Sequence, residues 1–353
     1  DKVSVSVDPD RFTTENTTFY IPKTVPGTYS TDNYGKFIEN FKALDYDGNE
    51  LEFEKIDDNS WNIPNAPNLD KVSYQVNDTY DIEDEEGVFS PSGTNIEAGE
   101  NFMLNLHGFV GYFENKQEEP YRLQIKRPQG LIPGTALSKT AGASADMAFK
   151  EDIYSLGRYF EVIDNPIMYA KPDTTSFMVE GMEVLINVYS PKKKYTSKSI
   201  KPGIEEMISA QKRFLGEVDN TGKYAILLYL SDSEKQDARG FGALEHHTST
   251  VVVLPEAMQP EQLQKTMTDV VSHEFFHILT PLNVHSKEVH YFDYNDPKMS
   301  QHLWMYEGVT EYFANLFQIN QELIEKQDFY DRISDKIKSA QQFDDTMPFT
   351  KMS

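Results

Sequence analysis

The sequence predicts an α+β fold, with a β-rich N-terminal domain followed by a domain that mixes strands with long helices. Three observations predict it. Short alternating or apolar runs recur up to about residue 170, three strongly apolar runs follow after residue 180, and helical periodicity takes over from about residue 256. A chain of 353 residues exceeds what one core usually serves, so two domains are expected, a β-sandwich-like one over 1–170 and a second over 171–353. An apolar fraction of 39% and an aromatic fraction of 12% are enough to build both interiors.

In chain order, Val3–Val7, Thr18–Ile21, Val72–Val76, Phe102–Leu106 and Tyr121–Ile125 read as strands separated by Pro, Gly, Asn and Asp clusters. Asp81–Glu86 and the small-residue stretch Gly134–Ala145 read as loops. Met182–Tyr189 and Lys223–Leu230 are apolar enough to be buried strands, with a helix from about Ile204 to Leu215 between them, and Thr250–Leu254 is a third strand. A helix is expected from about Glu256 to Leu279, with Pro260 tolerated in its first turn and Pro281 stopping it. A second should start at Asp296-Pro297 and run to about Ile319, and a third should cover Gln321 to Ala340. No internal repeat is present.

Composition excludes several classes of function. A net charge of −24 argues against nucleic acid as a partner, because phosphate binding needs a basic face. The Lys192-Lys193-Lys194 run reads as a solvated turn. The absence of cysteine removes disulfides, thiolate metal ligands and cysteine nucleophiles, so any metal must be held by histidine and carboxylate. No apolar run is long enough to span a bilayer. The start at Asp1 reads as a processed or cloned piece, from which a signal peptide could have been lost. The acidic, Asn/Asp/Thr-rich composition suits a bacterial periplasm or cell surface.

The residues that carry chemistry begin with His273-Glu274-Phe275-Phe276-His277. Residues four apart share a helix face, so both imidazoles can reach one metal ion. Glu274 lies about 100° further round the helix, where its carboxylate can act as general base on a water without ligating the metal. Thirty residues after His277, Glu307 falls in the next helical pattern, Trp304-Met305-Tyr306-Glu307-Gly308-Val309-Thr310-Glu311-Tyr312. A carboxylate from that helix completes a two-histidine, one-glutamate set with a fourth position open, as catalytic zinc requires. Glu311, one turn on, can bond the free ring nitrogen of a ligand histidine; an exposed helix carboxylate is the other reading.

Together HEFFH and WMYEGVTEYF resemble the gluzincin metallopeptidases, and their spacing resembles the glycyl aminopeptidase family, peptidase family M61. Gly242-Ala243-Leu244-Glu245-His246 is similar to that family's G-x-L-E-H strand, and Pro26-Gly27-Thr28-Tyr29, Asn33-Tyr34 and Phe292-Asp293-Tyr294 also fit it. The resemblance implies an N-terminal β domain joined to a thermolysin-like catalytic domain with Zn2+ as cofactor. It implies that the peptide substrate has a free N-terminus, that Glu245 on an edge strand pairs with that ammonium, and that small first residues (Gly or Ala) are preferred. Without the resemblance Glu245 reads as a surface strand glutamate. The backbone of Gly242 and Ala243 would hold the peptide by strand addition.

Family members continue to an oxyanion-stabilising tyrosine and a PDZ domain. The chain ends at Ser353, so a truncated fragment is expected and that tyrosine lies outside it. Tyr312 and Tyr330 read as packing residues. His107, His285, His290 and His302 lack a partner at ligand spacing, and His246 is expected near the cleft. An endopeptidase on the same scaffold and a catalytically silent peptide-binding protein are the alternatives to an aminopeptidase.

Overall fold

The computed structural model describes residues 2–82, 87–140, 148–218 and 221–353. The expected loops over Asp81–Glu86 and Gly134–Ala145 lie partly outside the described residues. The fold is α+β, as expected. In the N-terminal part, Leu69–Asn77 lies between Lys2–Val7 and Ile38–Asp45, all antiparallel, and its Val72, Tyr74 and Val76 are buried. A second sheet pairs Asn16–Tyr20 with Ser60–Pro64 and Tyr112–Phe113. The core between them is aromatic. Phe19 meets Phe113 edge-on at 5.0 Å between centroids, and Phe41 stacks on Trp61 at 4.7 Å.

A five-stranded sheet in the second half explains why its strands read as near-continuous apolar runs. Met182–Tyr189, Lys223–Ser231 and Ser249–Pro255 are parallel neighbours, with Thr174–Val179 and Gly242–His246 antiparallel at the two edges. Both faces are covered. Tyr224, Ile226, Leu228 and Val252 pack against the helices, while Ala225, Leu227, Val251 and Val253 pack against Met103, Met168 and Ala170 of the N-terminal part. The crossover helix Ser197–Leu215 begins a full two turns before the expected Ile204, because Thr196 caps it and tolerates Pro202 in an early turn.

Two further helices begin later than the sequence predicts. The helix Pro260–Phe276 falls inside the expected Glu256–Leu279 span with Pro260 at its first position, and Thr280-Pro281 follows its end. Asp296-Pro297 caps nothing. The Asp293 carboxylate instead accepts from the backbone N–H groups of Asn295 and Asp296, making a turn, and the helix starts at Trp304. Its first six residues, Trp304–Val309, form a π turn that continues as the α-helix Thr310–Asn320. The third helix runs Lys326–Ala340, after a break at Glu322, which has φ 60°. Tyr312 and Tyr330, expected to pack, are 48% and 58% exposed because they fall on outward faces of these helices. Among the described residues no helix is long and apolar enough to cross a membrane.

Candidate metal centre

The helix Pro260–Phe276 packs against the helix that follows the π turn and against the edge strand Gly242–His246. Leu263, Met267, Val271 and Phe275 anchor it in the apolar core, which turns His273 and Glu274 toward a cleft of about 860 Å³ that Ala243 and Glu311 also line. His277 caps the helix end. Its Nδ1–H donates to the Thr280 carbonyl at 3.1 Å, so Nε2 is the nitrogen left with a lone pair.

His273 is tied in the same way. Its Nδ1 lies 2.8 Å from Glu311 Oε2, on the opposite side of the ring from Nε2, which faces His277 Nε2 at 3.1 Å and Glu307 Oε2 at 3.3 Å. Glu307 Oε2 is 3.8 Å from His277 Nε2. Potential ligand atoms of His273, His277 and Glu307 therefore all lie within 4.8 Å of one another. Two imidazole lone pairs and one carboxylate converge on a common point, and hydrogen bonds at the far nitrogens orient both rings. That donor set fits a divalent ion of the zinc type.

Two more carboxylates close on the same point. Glu245, Glu274 and His277 also offer ligand atoms within 4.8 Å of each other. Burial, then the neighbouring Glu245 charge, pushes the Glu274 carboxyl well above its usual range. Burial, then Glu307, pushes Glu245 up to about 7. Burial opposes charge on His273, yet the Glu307 and Glu311 carboxylates outweigh it and hold the ring up to about 10. Four carboxyl groups, those of Glu245, Glu274, Glu307 and Glu311, thus crowd around the two imidazoles.

A layer of ion pairs lies behind Glu311. Burial disfavours its charge, but His273 and Lys336 hold its pKa down to about 2, and Lys336 ion-pairs with it from the third helix. Asn315 Nδ2 donates to Glu311 Oε1 at 3.0 Å, and Arg332 bridges Asn315 to Asp269. The third side comes from the N-terminal β region. The Tyr29 hydroxyl donates to Glu307 Oε1, and Gly27 (φ 89°) abuts Glu245 so closely that a Cβ there would sit 2.7 Å from both carboxylate oxygens.

Every residue expected at the metal site is thereby brought to one place. The strand Gly242–His246 is an edge strand, as expected, and Glu245 offers a carboxylate oxygen within 4.8 Å of ligand atoms of Glu274 and His277. Gly242 lies against the Phe89 ring, and Gly240 N donates to Ser90 Oγ, so residues 89–90 cover the start of that strand. His246 lines a cavity of about 450 Å³ together with Glu245, and Asp164 Oδ1 lies 3.3 Å from its Nδ1. His285 and His290, read as partnerless, lie 2.9 Å apart with stacked rings. Sequence reasoning did not single out Lys336 or the Tyr29 hydroxyl. No local signal marks a contact between residues 278 positions apart.

Two family models match the chain. The Peptidase M61 N-terminal domain matches residues 1–171, and the M61 glycyl aminopeptidase matches residues 266–348. No curated protein matches. Among solved structures, the chain resembles an aminopeptidase N family protein from Idiomarina loihiensis with a TM-score of 0.75 at 19% identity, over 93% of this chain and 53% of that one. The chain thus spans about half of that protein's length. It also resembles an M1 zinc metallopeptidase from Deinococcus radiodurans with a TM-score of 0.52 at 10% identity, over 99% of this chain and 72% of that one. At these identities the likeness is one of fold.

Proposed function

Because the chain belongs to peptidase family M61, we propose that it hydrolyses peptide bonds at a zinc ion held by His273, His277 and Glu307. One observation carries this reading: the Nε2 atoms of two pre-oriented imidazoles and one carboxylate oxygen converge within 4.8 Å beside the buried Glu274. A divalent ion there supplies Lewis acidity, polarising the scissile carbonyl and making water a stronger acid. Glu274 takes the proton from the attacking water and passes it to the leaving nitrogen. Burial first, and then the neighbouring Glu245 charge, raise its pKa, and a bound cation would lower it.

The reaction is that of an aminopeptidase. Glu245, beneath Gly27, is the group that pairs with the substrate's terminal ammonium, and its own raised pKa marks a desolvated carboxylate that gains from a cationic partner. Backbone groups of Gly242 and Ala243 align the peptide, and the preference for Gly or Ala at the first position follows from the family. In this reading residues 171–353 carry the chemistry and residues 1–170 wall the site.

Glu274→Gln tests the mechanism. The variant should keep its zinc, measured by elemental analysis after dialysis, while peptide hydrolysis falls by a factor on the order of 10²–10⁴. Activity that survives this change removes Glu274 from its role. Equal rates on N-acetylated and free peptides would assign the scaffold to endopeptidase chemistry and take Glu245 out of amine binding.

A further inference from the structure

The geometry points to Tyr29 as a positioning residue of the metal centre: its hydroxyl holds one oxygen of Glu307 so that the other is presented to the cation. The inference rests on Glu307 being a ligand and adds that the N-terminal β region helps to build the centre, not only to wall it.

A carboxylate has two oxygens and several lone pairs, so an unrestrained glutamate at a metal site can rotate, chelate through both oxygens or swing away. Here the two oxygens face different groups. Oε2 faces His273 Nε2 at 3.3 Å and His277 Nε2 at 3.8 Å, while Oε1 accepts from the Tyr29 hydroxyl. A phenol is neutral at physiological pH, so it fixes the carboxylate without drawing charge away from the cation. His273 is held by Glu311, and His277 by the Thr280 carbonyl. With Tyr29 on Glu307, each of the three ligands has an outer partner that sets which atom faces the centre.

The loop that carries Tyr29 is built to stay in place. Its ends are closed by two bonds to one acceptor: the N–H groups of Asp32 and Asn33 donate to the Lys23 carbonyl at 2.9 and 3.0 Å. Lys23 and Thr24 in turn donate to the Tyr294 carbonyl, which ties the loop base to the segment between the two metal-site helices. Thr28 Oγ1 donates back to Val25 at 3.0 Å. Tyr29 itself has φ 53°, a left-handed conformation disfavoured for a residue with a Cβ. Such a conformation persists where the surroundings determine it, and it clusters at functional positions. Tyr29 is also 52% exposed, so core packing does not explain it. Two residues earlier, Gly27 rests on the Glu245 carboxylate, so a single short loop touches the acids on both sides of the imidazole pair.

The test is zinc affinity, measured by competition with a chromogenic chelator on the whole chain, for the unaltered protein, Tyr29→Phe and Tyr312→Phe. Tyr29→Phe should bind zinc about 10–100-fold more weakly, with the melting temperature of the metal-free protein unchanged. Tyr312→Phe, which removes an exposed hydroxyl outside the site, should bind as the unaltered chain does. Gly27→Ala provides a second route. It keeps the phenol but puts a Cβ at φ 89° against the Glu245 carboxylate, which strains the loop, so its zinc affinity should fall as well. Should Tyr29→Phe bind zinc as tightly as the unaltered chain, the positioning role is overturned, even if hydrolysis drops. Should Gly27→Ala bind as tightly, the loop is not what places the phenol. Failure of the unaltered chain to bind zinc would instead overturn the reading of the metal centre itself.

Discussion

Two histidines, one in each half of the molecule, respond to enclosure in opposite ways. In the β region His107 packs against the Tyr34 ring, with its Nε2 2.8 Å from the Ser92 carbonyl. Burial lowers its pKa to about 3, so it stays neutral. In the helical half His273 is also largely enclosed, yet carboxylates on both ring nitrogens raise its pKa to about 10. One ring is part of a wall of aromatic side chains, and the other is the centre of an ion-pair array. The difference teaches where this protein stores charge. Its β region surrounds this ring with aromatic side chains and backbone, whereas its helix pair gathers acids around two imidazoles.

The strongest test of that contrast is to remove a ring from the helical side. His273→Ala should abolish stoichiometric zinc binding, seen as metal-free protein after dialysis, because two donors no longer make a catalytic-type site. Zinc retained at full occupancy would end the comparison. Next comes the β side. The unfolded ring titrates near 6.5 and the folded one near 3, so between these values the unfolded state binds the extra proton. His107 therefore stabilises least at acid pH, and its contribution is lost progressively as pH falls from about 6.5 toward about 3, by up to roughly 4 kcal/mol. In His107→Asn, the unfolding free energy measured by denaturant titration across this window should fall less steeply than in the unaltered protein; an unchanged slope would show that the ring titrates normally. The smallest effect is expected from Lys336→Met, which removes the half-exposed partner of Glu311. Zinc affinity should weaken by less than about tenfold, since an exposed ion pair contributes little. A larger loss would show that the third helix governs the centre.

Much of the helical half was legible because its information is local. Residues at i and i+4 must share a helix face, so His273 and His277 announce their site, and the continuous apolar runs of Lys223–Ser231 and Ser249–Pro255 announce strands covered on both faces. Where a local signal had a competitor, it misled. Asp296-Pro297 is a good helix start, but the Asp293 carboxylate takes the nearby backbone N–H groups into a turn, which delays the helix to Trp304.

From the residues alone came the α+β architecture, the donor types a cysteine-free chain can offer a metal, and the four side chains of the candidate metal motif, because helix periodicity and donor chemistry are properties of short segments. Tertiary structure alone decided that Tyr29 reaches Glu307, that Gly27 rests on Glu245, and that the segment around Tyr294 ties the β-region loop to the helix pair. Those contacts join segments hundreds of residues apart. They exist only once both cores have packed, and no periodicity in the chain encodes them.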